Sequence, residues 1–329
     1  MIDLFNVPGD TGKPWRFNQM VKYIASFPDE IGPVINDYME SINATPDDRV
    51  WWCLLYSSCY CMGSAMVMMN ELDYKTVTDD EIDKFWLEHK KRLIFQSDRR
   101  YIKNMNQFTI IAKEFLHRSN RKPWEYISQF ITDDPETTYK QLYKEIGSWR
   151  YYGRFGIILF IFNLCKLFKD VEVESTDYDW KNGATTTSAV FHARYEDDKA
   201  VAFDAKEYRL TDDDLKVLDA TLLVIIDALK KENPNKNWNV VYVSSDLCSF
   251  RKLFKASRYP GFYIDRQQEE IEFLEKTYPE YQHMWDFVWE ERAKHLDSLY
   301  LGEVNGWHGP RKYHNNRFLE TGLITAPEN

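Results

Sequence analysis

Apolar positions recur every three or four residues along most of this chain, and that spacing predicts helices. Trp15, Met20 and Ile24 share one helical face close to the start. Thr45-Pro46-Asp47-Asp48 combines an N-cap hydroxyl, a proline at the first helical position and acids at the positive end of the helix dipole. The run from Val50 to Leu72 is apolar nearly all round and is expected at the centre of the core. Thr78-Asp79-Asp80-Glu81 is a capping box that opens a helix carrying Ile82, Phe85, Trp86 and Leu93. Ser97-Asp98 is expected to cap a helix bearing Arg100, Ile102, Met105 and Phe108. Pro123 and Asp133-Asp134-Pro135 punctuate two short helices. A helix through Tyr139 to Trp149 then leads, by way of Tyr151, Tyr152 and Gly153, into an apolar helix at 155–168.

Beyond Val171 the pattern changes: β-branched residues and alternation suggest a small β element around 171–208, with a further strand at 239–244. Thr211 and the three acids after it cap a helix ending near Lys231, stopped by Asn233-Pro234-Asn235, and helices resume at 246–256 and 265–300. The fold class is therefore mainly α, a multi-helix globular fold. A helical half, 1–170, contains a basic segment at 89–122, and a mixed helical half, 171–329, completes the site; the two are expected to form one intimate unit.

Composition changes this picture in two respects. Aromatic residues reach 16%, which means either ring-on-ring packing or platforms on which bases stack. The net charge of −10 argues against a general nucleic-acid coat, yet charge is uneven. Between His89 and Lys122 ten basic residues face only Asp98 and Glu114, a net +8, which leaves −18 on the remainder and hints at an anionic partner.

Several function classes drop out. Gly9-Asp10-Thr11-Gly12-Lys13 has two residues, not four, between its glycines, and Pro14 follows the lysine, so it is no phosphate loop. There is no G-x-G-x-x-G, H-E-x-x-H or G-x-S-x-G. The five cysteines and seven histidines show no zinc spacing, and buried free thiols in a reducing cytosol are expected. The longest apolar run, Phe155 to Phe168, is too short to span a bilayer, and no signal peptide is read at the start, so a cytoplasmic protein with no membrane partner is expected.

Four clusters combine charge, rings and turn residues. Ser97-Asp98-Arg99-Arg100-Tyr101 puts two arginines at a helix start, where either an anion or salt bridges must compensate. Trp149-Arg150-Tyr151-Tyr152-Gly153-Arg154-Phe155-Gly156 joins phosphate-gripping arginines to rings able to sandwich a base, with helix-junction packing as the alternative. Asp177 to Thr187 holds an Asn-Gly turn, threonine hydroxyls and the carboxylates Asp177 and Asp179, and reads equally well as an exposed turn. Last, Arg251, Lys252, Lys255 and Arg258 carry no intervening acid and precede Tyr259-Pro260-Gly261 and Asp265-Arg266. This reads as an anion site or as a solvated basic face.

At these clusters the chain resembles the phage amino acid:DNA transferases, also called α-glutamyl/putrescinyl thymidine pyrophosphorylases. The residues that carry the resemblance are Asp98-Arg99-Arg100-Tyr101, Tyr152-Gly153-Arg154-Phe155-Gly156, Asp179-Trp180 with the Gly-Ala-Thr turn, Leu247-Cys248-Ser249-Phe250-Arg251-Lys252, and Tyr259-Pro260-Gly261 to Asp265-Arg266. The resemblance implies thymidine hypermodification in double-stranded DNA. An amino acid or polyamine amine replaces a pyrophosphate on the 5-methylene of modified uracil. It also implies helical domains similar to base-flipping DNA glycosylases, and action in the host cytoplasm.

Placed on these motifs, the chemistry assigns Arg154, Arg251 and Lys252 to the leaving pyrophosphate and Asp179, then Asp265, to the amine proton. Tyr152, Trp180 and Tyr263 would meet the base, and Arg99, Arg100, Lys103, Lys255 and Arg258 the DNA backbone. No cofactor is evident, no metal ligand is assigned and a divalent cation is left open. A glycosylase-like base-flipping enzyme, a non-enzymatic DNA-binding accessory protein and a small-molecule catalyst are the competing readings.

Overall fold

A computed structural model describes residues 20–25, 31–96, 102, 104–175, 211–236, 238, 240, 243, 246–247, 261–296 and 298–304. The protein is mainly helical, and among the described residues there is no strand, only an isolated antiparallel bridge between Ile102 and Tyr152. The chain divides into two compact units, each discontinuous in sequence. One comprises Met1–Pro28, Ser175–Phe262 and Glu303–Asn329, the other Asp29–Glu174 and Tyr263–Gly302.

The second unit is built around helix α2 (Pro46–Cys59), buried from Val50 to Cys59. Its N-terminus is the predicted Thr45 cap, closed as a reciprocal box: the Thr45 hydroxyl accepts from Asp48 N at 3.3 Å, and the Asp48 carboxylate accepts from Thr45 N at 2.8 Å. Against α2 pack α3 (Met62–Glu71), α5 (Phe108–Arg118), α6 (Pro123–Ser128) and α8 (Arg154–Leu167). Helix α1 (Ile31–Ser41) lies on α8, α4 (Asp79–His89) on α5, and α7 (Pro135–Ile146) on α8. Thr78 caps α4 in the expected box with Glu81, and Asp134 caps α7 by accepting from Thr137 N at 3.0 Å.

The apolar stretch 50–72 is not one helix, as its pattern suggests. Tyr60 sits in the left-handed region (φ 52°, ψ 39°) and separates α2 from α3. Just before it, Ser58 donates its hydroxyl to Leu54 O at 2.7 Å and Ser57 bonds back to Cys53 O, side-chain bonds that compete with the helix ladder. The helix expected from Ser97-Asp98 starts later: Ile102 is in the bridge, and Asn104 caps a 3-10 turn (Met105–Gln107) that runs into α5. Gly63 marks a tight approach, because a Cβ there would lie 2.6 Å from Leu274 Cδ1.

Among the described residues, much of the aromatic richness is core. Trp51 and Trp52 are fully buried; Trp51 stacks on Phe115 (6.1 Å between centroids) and Trp52 on Tyr56 (4.9 Å). Truncating such a ring costs about 3–5 kcal/mol. The remaining helices of this unit are α10 (Phe262–Thr277) and α11 (Gln282–His295), the latter packed on α1. Pro279 lies in a 3-10 turn between them, within the helical stretch expected over 265–300.

In the first unit, α9 (Asp212–Glu232) ends where Asn233-Pro234 predicts. Leu218, Leu222, Ile225 and Leu229 of α9 join Met20, Ile24, Trp238, Val243 and Leu247 in one buried cluster. Val240 and Val243 are helical, which corrects the strand expected at 239–244. The reason is spacing: Val240, Val243 and Leu247 are three and four apart, a helical stripe whose last two members are buried with Trp238. Val171 to Ser175 form no strand; Glu174 N donates to Pro135 O at 3.1 Å, and the rest of the proposed β element at 176–208 lies outside the described residues. No helix among the described residues is long and apolar enough to cross a membrane.

Candidate functional site

The break between α2 and α3 exposes the Cys59 carbonyl to a partner outside the helix. Gln96 N donates to it at 2.9 Å, while Ile94 N donates to Ser64 Oγ at 2.9 Å, so the strip ahead of the Asp98 cluster is laid along α3. The Gln96 side-chain amide donates to Glu270 Oε1 at 2.5 Å. Arg266, one turn back on α10, donates Nε to the same oxygen at 3.0 Å. Glu270 is 8% exposed, and burial raises its pKa above the ordinary 4.5 despite Arg266, Gln96 and the Cys61 thiol.

On the other side of the α2 end, the Tyr152 hydroxyl shares a hydrogen bond with Ser57, and the Tyr152 backbone pairs with Ile102. Burial pushes the Tyr152 phenol upward, so it stays neutral. The C-terminal turn of α2 is thus common ground for parts of two sequence clusters and for the residues flanking a third, which itself lies outside the described residues. Gln96 and Ile102 flank the Asp98-Arg99-Arg100-Tyr101 cluster, Tyr152 to Phe155 belong to the second, and Asp265 and Arg266 to the last. Phe155 meets Tyr60 edge-on at 6.3 Å, extending a file of rings through Tyr56 to Trp52.

Of the residues singled out from sequence, Arg154 is partly buried at the first position of α8, where Gly153 supplies no side-chain cap. Asp265 is 1% exposed in the first turn of α10, and Tyr263 is partly buried beside it. Tyr152 is 7% exposed, its ring 5.4 Å from that of Trp149. Asp179, Trp180, Arg251, Lys252, Arg99, Arg100, Lys103, Lys255 and Arg258 lie outside the described residues.

Glu270, Gln96 and Ser57 were not anticipated. The available signal was Arg266 and Glu270 four apart on one helix, which pairs them, but nothing local indicated that the pair would be buried.

The basic segment behaves differently from its composition. Lys113 pairs with Asp83 at 2.7 Å, Arg118 with Glu114 and Glu145 at 2.8 and 3.1 Å, and Lys122 with Glu125 at 2.8 Å. Arg121 donates to the carbonyls of Tyr74 and Val77, and Arg92 lies over the Tyr278 ring at 4.2 Å. Among the seven described cations of the segment, these five are therefore engaged within the protein itself. Cys53, Cys59 and Cys61 are free and buried, as expected, and burial raises all three thiols. Cys165 is partly buried, its thiol pushed up to about 12 by burial.

This arrangement supplies a buried carboxyl able to take a proton near its raised pKa, held by Arg266 and Gln96. No family model matches the chain, and no solved structure matches it. The chain is similar to a serinyltransferase of Salmonella phage ViI, 22% identical over 295 residues, covering 84% of this chain and 71% of the phage protein.

Proposed function

We propose that the protein is a phage transferase that modifies DNA, joining an amino acid or polyamine to the 5-methylene of a thymidine analogue. The observation that carries this reading is the similarity to a phage serinyltransferase along 84% of the chain. The clusters around Tyr152 and Asp265 add support, since their described residues and the residues flanking the Asp98 cluster meet near the end of α2.

The substrate in this reading is 5-pyrophosphoryloxymethyluracil in double-stranded DNA, and serine is the first amine to try. The amine nitrogen attacks the methylene carbon, the C–O bond breaks, and its electron pair leaves with pyrophosphate. The amine proton passes to a carboxylate. Arg154, Arg251 and Lys252 stabilise the leaving charge, and holding the reactants in line contributes several kcal/mol. Asp179 and Asp265 remain candidates for the proton, and Glu270 joins them because its buried carboxyl has a raised pKa. Trp180, Tyr263 and Tyr152 bound the base; Arg99, Arg100, Lys103, Lys255 and Arg258 hold the backbone. A phage-encoded enzyme of this kind works in the host cytoplasm.

Pyrophosphate release tests the reading. It is expected only when pyrophosphorylated DNA and an amine are both present. Abasic sites in place of pyrophosphate would favour a glycosylase, and salt-sensitive DNA binding without turnover would favour an accessory protein.

A further inference from the structure

Helices α1 and α11 pack together, and at their contact three side chains of metal-binding chemistry converge. Glu291 and His295 are four residues apart on α11, so they stand one above the other on one face. Asp37 reaches across from α1, its Oδ2 2.7 Å from His295 Nε2. Glu291 Oε2 lies 3.8 Å from the same nitrogen, and one donor atom from each residue falls within 4.8 Å of the others.

We propose that Asp37, Glu291 and His295 form a binding site for a divalent transition-metal ion of zinc-like chemistry, clamping α1 to α11. One imidazole and two carboxylates form a donor set that zinc accepts, with bonds of about 2.0–2.2 Å. A tetrahedral ion with such bonds spaces its ligands roughly 3.3 Å apart, so side-chain shifts of under about 1 Å convert the present spacing into coordination.

Two further features fit. The Glu291 side chain is only 5% exposed, and Lys294 binds its Oε1, which leaves Oε2 turned toward the imidazole. A ligand oxygen fixed by a partner on its other oxygen is the usual support of a metal site. Asp37 and His295 are 39% and 32% exposed, which gives an ion a way in and leaves the fourth position to water. Lys294 offsets part of the charge of the two carboxylates, and the negative charge that remains on them attracts a cation.

This inference stands apart from the transferase reading and is tested without activity. Metal-stripped full-length protein is titrated with Zn2+ and Co2+, following the melting temperature and the visible Co2+ spectrum. Expected are a rise in melting temperature and a tetrahedral Co2+ spectrum without the sulfur charge-transfer band that cysteine ligation gives. The variants H295A and E291Q should weaken binding at least about tenfold. D37N, a change of similar shape at a partly exposed site, should do likewise, and it keeps the test valid if a helix variant fails to fold. No metal-induced shift in the wild type, a sulfur band, or equal shifts in wild type and D37N would overturn the proposal.

Discussion

Gln96 donates its side-chain amide to Glu270 at 2.5 Å, although 174 residues separate them in the chain. That one contact ties the segment ahead of the Asp98-Arg99-Arg100-Tyr101 cluster to the helix that carries Asp265 and Arg266. The carboxyl it reaches is 8% exposed, and burial raises its pKa although Arg266 and Gln96 act to lower it.

If Glu270 takes the amine proton, activity falls as pH is lowered through a pKa above 4.5. E270Q should lose turnover by about a hundredfold or more while keeping its helical circular dichroism. The sign for stability follows separately. A raised carboxyl pKa means the folded state holds its proton longer than the unfolded chain, so stability is present below pH about 4.5 and declines as pH rises through the raised value. E270Q should therefore flatten that decline, as read from urea midpoints across the acid range.

Tyr152 gives a different prediction. Its hydroxyl and that of Ser57 satisfy each other in a buried place, so Y152F leaves Ser57 with only its backbone acceptors. A loss of about 1–3 kcal/mol is expected in chemical denaturation.

His89 lies between the rings of Phe85 and Tyr278, at 4.4 and 5.7 Å, and burial holds its pKa below the ordinary 6.5. The fold thus favours the neutral ring. Its contribution is fully present above pH 6.5 and is lost as pH falls through that value toward the folded pKa. The melting-temperature gap between wild type and H89Q should narrow between pH 7 and pH 5.

Gly63 tests the packing of α3. A valine there must displace Leu274, since even a Cβ approaches Leu274 Cδ1 to 2.6 Å and Trp285 to 3.4 Å. Overpacking of this kind costs about 1–3 kcal/mol, and G63V should melt lower by several degrees.

Local chemistry made the helix starts legible. Thr45, Thr78 and Asp134 each cap where the sequence places them, because a cap depends on residues within one turn. The breaks were harder to see. Tyr60 and Pro279 interrupt apolar or periodic runs, and Val240 and Val243 read as strand until Trp238 and Leu247 give their stripe something to bury against. The site divides in the same way. Arg154 and Asp265 are readable as chemistry, whereas Glu270 gains its character only from burial by segments distant in the chain. The +8 segment shows the converse, since composition cannot reveal that Lys113, Arg118 and Lys122 already have acidic partners.

The most direct measurement is mass spectrometry of nucleosides from DNA carrying 5-pyrophosphoryloxymethyluracil, incubated with the protein and isotopically labelled serine, other amino acids and polyamines. The account predicts a new thymidine analogue that carries one labelled amine, formed as pyrophosphate appears. Unchanged nucleosides from folded protein that binds this DNA would contradict it.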